Sequence, residues 1–447
     1  MKQQVKGLMT EGPIWKNILL FALPLLLGNL FQQLYNAVDS IVVGNYIGSN
    51  ALAAVGSSSP IINLLVGFFS GLATGAGVVI SRCFGARNTE GVSRSVHTSM
   101  ALAIVCGILL SIAGVALSPW ILQMMGTPEE VMSNSVLYLQ IYFMGLLSVL
   151  VYNMGSGVLR AIGDSKTPLY FLIVSSILNI FLDILFVTQF QMGIAGVGWA
   201  TLIAQTVSAI LTFVFLMRAH GEHRLFIRKI RIHRDVLQQV IKIGLPGGMQ
   251  NAIISFSNII MQSSINSFGA VAMAGCGSYS KIDGFAILPL MSFSMALTTF
   301  TGQNIGAKRF DRVKSAAKNG TVLTLSSTCL VSLFLLLFSE QVISIFNSEP
   351  EVIHYGVAMM QVLVPGYFFL GITHTLTGIV RGAGATTVPM MIMIFCWCFL
   401  RMAWVLGSLS IAHIIQFVFL GYTLTWAISA VLMFVYYKKG DWLRHYL

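Results

Sequence analysis

The segment Leu159–Pro168, LRAIGDSKTP, returns 221 residues later as Val380–Pro389, VRGAGATTVP. The same interval pairs Phe84-Gly85-Ala86 with Ile305-Gly306-Ala307, each followed by a basic residue. It also pairs Ser118 with Ser339, and Glu130-Val131 with Glu351-Val352. Upstream, Ala22-Leu23-Pro24 returns as Gly244-Leu245-Pro246 with one residue of slippage. One interval holding over several motifs marks two copies of one architecture.

The composition says which architecture is repeated. Of 447 residues, 56% are hydrophobic and 9% charged, and the mean hydropathy is +0.82. An average soluble domain is about 25% charged, so a water-facing surface cannot be assembled from this chain. A helix crosses the hydrocarbon in about 20 apolar residues. Twelve segments meet that length, approximately 14–43, 52–80, 95–118, 132–158, 167–188, 193–217, 237–266, 278–303, 315–338, 352–380, 387–408 and 412–437. The connections between them are too short for a soluble catalytic domain. The first apolar run contains Pro24 and has no small-x-small cleavage site near its end, so it reads as a span and not as a signal peptide. The expected fold is an all-α integral membrane protein, with twelve transmembrane helices in two pseudo-symmetric six-helix lobes. The N-lobe covers 1–219, a basic cytoplasmic linker 220–235, and the C-lobe 236–447. Six is an even number, so the two copies are parallel. In transporters, parallel repeats surround a site near mid-membrane and rock around it.

The formal net charge of +11 would suggest nucleic acid in a soluble chain, but its placement gives another meaning. Counting from an inner N-terminus, the inner segments hold Lys2, Lys6 and Lys16, then Arg82, Arg87 and Arg94, then Arg160 and Lys166. The middle stretch holds Arg218, Arg224, Arg228, Lys229, Arg231, Arg234 and Lys242. Lys308, Arg309, Arg312, Lys314, Lys318, Arg381, Lys438, Lys439 and Arg444 follow. Those are 24 of the 26 basic residues, and the exceptions, Lys281 and Arg401, fall within spans. Because Lys and Arg set orientation, both termini are expected in the cytoplasm, with membrane lipid and no nucleic acid as the partner of this charge. The outer loops hold Glu129, Glu130, Glu340, Glu349 and Glu351. The six cysteines are scattered without a disulfide framework, and no metal-ligand spacing is visible.

Ionisable groups inside spans are costly and mark function. Asp39 lies deep in span 1, where helical spacing places Gln32, Tyr35, Asn36 and Asp39 on one face. Asp183 lies in span 5 with Asn179 four residues before it. Two acids with amide neighbours in one lobe can hold a proton, since burial and like charge both disfavour ionisation. They can equally hold a monovalent cation through oxygen. Span 7, the repeat partner of span 1, carries Gln250, Asn251, Ser255, Asn258, Gln262 and Asn266 and no acid, so coupling is expected in the N-lobe. Asp283 and Arg401 lie at matching depths in the C-lobe and are expected to form an ion pair. Lys281 is expected to snorkel.

Taken together, ALPLLLGNLFQQLYNAVDSIVVG (22–44), the paired FGARN and IGAKRFD loops, LRAIGDSKTP and LNIFLDILF resemble the MATE (multidrug and toxic compound extrusion) family. The resemblance runs from about Pro13 to Tyr437. It implies two six-helix lobes and export of bulky, often cationic, organic compounds in exchange for H⁺ or Na⁺. By position, Asp39 matches the family's span 1 acid, and Asn179 and Asp183 match its span 5 Asn-x-x-x-Asp. Tyr138 and Thr201 match polar positions of the same site, and Tyr35 and Asn36 join it. A Na⁺ ion would sit at Asp39, Asn179 and Asp183. One branch of the family has further acids on spans 7 and 10. Here span 7 offers Gln262 near that place and span 10 has none, so the chain is closer to the DinF-like branch, named for the DNA-damage-inducible transporter. Gln33, Asn258, Gln262, Asp283 and Arg401 are the expected substrate-cavity residues. The resemblance implies a monomer in the plasma (inner) membrane with small organic substrates, no cofactor beyond the coupling ion and no catalysis. A lipid-linked oligosaccharide flippase of the same superfamily is the alternative, and it would call for a basic cavity. A membrane enzyme lacks a nucleophile–base set, and a channel fits the twofold repeat poorly.

Overall fold

The computed structural model describes residues 8–443. Lys2, Lys6 and Arg444, three of the charges read as orienting the chain, lie outside them. The described residues are nearly all helical, without a β-strand among them. Hydrocarbon offers no partner to backbone N–H and C=O groups, so apolar segments must satisfy them internally. The helices are α1 (Ile14–Val42, continued by one π turn over Val43–Ile47), α2 (Ser49–Gly85), α3 (Thr89–Met124) and α4 (Glu129–Met144 with Leu146–Ala161). After these come α5 (Lys166–Ile184 and a π turn, Leu185–Gln189), α6 (Ile194–Arg218), α7 (Arg234–Asn266) and α8 (Ala270–Ala286 with Leu288–Gly306). The last four are α9 (Phe310–Leu337), α10 (Pro350–Gly382), α11 (Thr387–Ile394, a π turn over Phe395–Leu400, then Arg401–Ile411) and α12 (Ile415–Lys439).

Ten of these are long and apolar enough to cross a membrane, and α4, bent by 45° at Gly145, makes an eleventh. The expected count of twelve differs at α7. That helix has 33 residues but is studded with Gln250, Asn251, Ser255, Asn258 and Gln262, which dilute its apolar character.

The chain divides into two compact units, Leu27–Gly248 and Leu8–Leu26 together with 249–443. Both α1 and α7 therefore begin in one unit and continue in the other. Glycine shows why the first stretch of α7 joins the first unit. A Cβ on Gly71 would lie 2.2 Å from Gly248 N, and one on Gly75 would lie 2.6 Å from Gly244 Cα. Two small-xxx-small stripes thus let the backbones of α2 and α7 touch, the means by which helices associate where lipid is as apolar as leucine. The beginning of α1 is held in the second unit, where Ile18, Phe21, Ala22 and Leu25 share a buried cluster with Phe293, Ala296, Leu297 and Phe300. Arg312 fastens the segment ahead of it, donating to the carbonyls of Met9 (3.2 Å), Glu11 (3.3 Å) and Gly12 (2.9 Å).

The repeat is repeated down to single backbone angles. Gly48 and Gly269 (φ 114 and 94), Arg87 and Lys308 (55 and 58), and Gly163 and Gly384 (91 and 72) are left-handed pairs separated by the sequence interval. The loop after α2 closes with Ala86 N to Arg82 O, Arg87 N to Phe84 O and Asn88 N to Cys83 O. The loop after α8 repeats all three bonds at Ala307, Lys308 and Arg309. In LRAIGDSKTP, Gly163 makes the left-handed turn, and Asp164 Oδ1 caps α5 by accepting from Lys166 N (3.1 Å) and Thr167 N (3.0 Å). In VRGAGATTVP the glycine stays and Ala385 stands in place of the capping acid.

The inner packing repeats as well. A Cβ on Gly157 would lie 3.1 Å from Ala73 O, and one on Gly378 would lie 2.5 Å from Ser294 O. Backbone cannot yield there, so Gly378→Ala should destabilise by about 1–3 kcal/mol, the usual cost of overpacking. Gly277, with nothing within 4 Å of its added methyl, is the control. Gly277→Ala should leave stability unchanged or raise it by up to about 1 kcal/mol through helix propensity. Unfolding midpoints of the two purified variants in detergent check the contrast.

Candidate functional site

The first unit gathers its polar residues on three helical stripes, each built from positions four apart, which share a face. On α1 these are Tyr35 and Asp39, on α4 Tyr138 and Tyr142, and on α5 Asn179 and Asp183. Thr201 faces them from α6. Asp183 (0% exposed) and Asn179 (1%) are fully enclosed, Tyr138 and Thr201 are buried, and Asp39 is half-buried.

The Asp39 and Asp183 carboxyls are neighbours. Asn179 Nδ2 donates to Thr201 Oγ1 at 3.5 Å, and the Tyr35 phenol neighbours the same threonine. Tyr138 lies within electrostatic reach of both acids and of Tyr35 and Tyr142.

No N–H or O–H of a neighbouring side chain or backbone reaches Asp183 Oδ1, Asp183 Oδ2, Asp39 Oδ1 or Asn179 Oδ1. Four acceptor atoms of one cluster are thus buried without a donor. Two carboxyls attract only when a proton or a cation lies between them, because adjacent like charges out of water cannot both persist. The Asn179 oxygen is a neutral ligand of the kind a hard cation takes. Oxygen donors without a hydrogen-bond donor fit a proton or Na⁺. Among the described residues no group of three or more His, Cys, Asp or Glu side chains could hold a metal ion in the ordinary way.

Of the residues on this face of α1, Tyr35 and Asp39 are half-buried, while Asn36 and Gln32 are exposed. Gln33 on the same helix is half-buried. Tyr142 joins the cluster although the sequence reading passed over it, and its four-residue spacing from Tyr138 is the signal that would have found it.

The second unit holds something different. Asp283 Oδ1 accepts from the Tyr279 hydroxyl at 3.3 Å and from the Tyr367 hydroxyl, and the two phenols are 2.7 Å apart. Arg401 is 2% exposed. Its Nε donates to Thr425 Oγ1 at 3.3 Å, and its guanidinium lies 4.3 Å from the centre of the Tyr422 ring. The expected Asp283–Arg401 ion pair is not formed, since the ion pairs among the described residues are Arg94–Asp235 and Arg309–Asp311. Matching depth along two helices left their rotation free, and rotation turns Asp283 towards Tyr279 and Tyr367. Gln262 and Asn258 on α7 are exposed, and Gln262 donates to Asn266 Oδ1 at 2.9 Å. Lys281 lies over the Phe346 ring at 5.5 Å.

Comparison with known proteins adds the lineage. The family model described as MatE matches twice, over residues 24–185 and 246–405, once on each copy of the repeat. The probable multidrug resistance protein YpnP of Bacillus subtilis is 31% identical over 440 residues, covering 97% of each chain. YoeA of the same organism, also named a probable multidrug resistance protein, is 30% identical over 439 residues, with 96% of this chain and 94% of that one covered. Among solved structures, an outward-facing multidrug resistance MATE transporter of the MOP superfamily superposes with a TM-score of 0.92 at 22% identity over 98% of both chains. A MOP superfamily transporter from Pyrococcus furiosus matches to the same degree. At that identity the structures speak for the fold, while the family model and the curated relatives carry the descent: the chain belongs to the MatE (multidrug and toxic compound extrusion) family of membrane transporters.

Proposed function

We propose that this transporter is a secondary active multidrug antiporter, which exports bulky, often cationic organic compounds in exchange for H⁺ or Na⁺. The single observation that carries this reading is the Asp39–Asp183 pair, in which Asp39 Oδ1 and both Asp183 oxygens are buried and meet no hydrogen-bond donor. Occupied by a proton or a Na⁺ ion, the pair draws α1 and α5 together. Emptied, it sets two negative charges against each other at the same place. An ion can shift an alternating-access equilibrium only by binding its states unequally, and a site whose energy depends on the separation of two helices does so. Asn179 supplies a further oxygen, Thr201 orients the Asn179 amide and the Tyr35 phenol, and Tyr138 and Tyr142 pack beside the pair. The chain acts as a monomer in the plasma membrane of a prokaryote, with both termini in the cytoplasm. A flippase for a pyrophosphate-linked sugar would need converging buried cations. Among the described residues the buried basic side chains are Arg312, spent on backbone carbonyls, and Arg401.

The test is ethidium efflux from proteoliposomes under an imposed pH or sodium gradient. The wild type should respond to one of the two gradients. Asp39→Asn and Asp183→Asn should each lose the gradient-driven component by about tenfold or more, the size of an ordinary coupling free energy, while reconstituting with wild-type yield. Wild-type efflux in Asp39→Asn would end the proposal.

Asn179→Ala identifies the ion. If sodium drives efflux, removing a neutral oxygen ligand should raise the half-saturating Na⁺ concentration by about tenfold, one hydrogen-bond-sized interaction. If protons drive it, the dependence of efflux on the pH gradient should be preserved in this variant.

A further inference from the structure

Arg401 is a buried cation of the second unit whose surroundings leave it incomplete. It sits immediately after the π turn of α11, ten residues before the end of that helix. At 2% exposure its side chain does not reach out to an interface. Nε–H is used, donating to Thr425 Oγ1, and that hydroxyl in turn donates to Gly421 O at 2.7 Å. One face of the guanidinium is covered by the Tyr422 ring. Nη2 is buried and meets no acceptor.

Among the described residues no carboxylate forms an ion pair with Arg401. Asp283, the other ionisable group at this depth, is bonded to the hydroxyls of Tyr279 and Tyr367 and forms no ion pair with Arg401. The remaining titratable neighbours are Cys396 and Cys398 on α11 itself and Tyr422 on α12. On α7, Ser257 is spent on Trp397 O at 2.9 Å, and the Ile253 carbonyl accepts from Cys398 Sγ at 3.6 Å.

A buried, uncompensated cation is unfavourable, and a guanidinium N–H aimed at no acceptor adds a second cost. One ligand removes both. We propose that Arg401 holds a small monovalent anion inside the second unit, bound at Nη2 and neutralising the guanidinium. The ligand chemistry is that of chloride, or of a single carboxylate group carried by an organic substrate. Phosphate and other multiply charged anions do not fit, because no second buried basic side chain stands beside Arg401. This site belongs to the other unit from Asp39 and Asp183 and stands or falls independently of the coupling role given to them. It also gives the transporter a means of accepting an acidic group that a purely acidic cavity would repel.

The experiment is binding of radiolabelled chloride to purified protein in detergent, followed by scintillation proximity in chloride-free buffer. Wild type should bind saturably, with displacement by unlabelled chloride. Arg401→Gln should bind about tenfold more weakly or not at all, the loss of one charge-assisted contact. Asp39→Asn should bind as wild type does, so failure of the coupling reading and failure of this one are separately visible. Acetate displacing the label at lower concentration than chloride does would identify a carboxylate as the better ligand. Acetate displacing it less well would identify chloride. Should Arg401→Gln not elute as a single folded species, Thr425→Val, which keeps the guanidinium and releases its Nε–H, should still show altered chloride affinity. The proposal is overturned if the wild type shows no saturable binding, or if Arg401→Gln binds as tightly as the wild type.

Discussion

A polar group inside hydrocarbon must find its partner within the protein, and nearly everything in this molecule follows from that constraint. It forces the backbone into helices, so a chain with 9% charged residues folds as a stack of apolar rods. It leaves the rods with little hydrophobic reason to adhere, so they associate through glycines that bring backbones into contact, as at Gly71–Gly248, Gly157–Ala73 and Gly378–Ser294. It also makes every buried ionisable side chain conspicuous. Asp283 has its two phenols. Asp39, Asp183 and Arg401 do not have what they need, and each of those deficits is a place where something can bind.

The two copies of the repeat share their scaffold and differ in their chemistry. Left-handed turns at Arg87 and Lys308 and at Gly163 and Gly384 are matched, as are the hydrogen bonds that close them. The polar interiors are not matched. One unit encloses a pair of acids, and the other encloses a capped acid and a lone guanidinium. Turns and helix crossings are fixed by backbone sterics, which two copies must both obey. A buried side chain is free to change wherever its partner, or its ligand, changes with it. On the proposed reading, this asymmetric charge distribution on a symmetric frame assigns ion sensing to one half and a different solute to the other.

Much of this was legible in the sequence because helices convert spacing into geometry. Tyr35 with Asp39 and Asn179 with Asp183 are four apart, and each pair does share a face. The same rule puts Asn36 on that face too, but spacing does not report burial, and Asn36 is exposed where Tyr35 and Asp39 are half-buried. Depth was readable for Asp283 and Arg401, but rotation was not, and rotation decides partners. Tyr367 reaches Asp283 from 84 positions away, a distance over which no local pattern carries information. The sequence also showed span 7 as polar without showing that its first stretch packs in the first unit through Gly244 and Gly248. That packing depends on what α2 presents at Gly71 and Gly75.

The central claim is that the Asp39–Asp183 pair exists as one occupied site. The most direct measurement is infrared difference spectroscopy of purified protein in sodium-free buffer, read in the carbonyl region where protonated carboxyls absorb. The wild type minus Asp39→Asn/Asp183→Asn spectrum should contain a protonated-carboxyl band that disappears from the wild type at alkaline pH. A difference spectrum with no such band at any pH, with both carboxylates already ionised under acid conditions, would contradict the account.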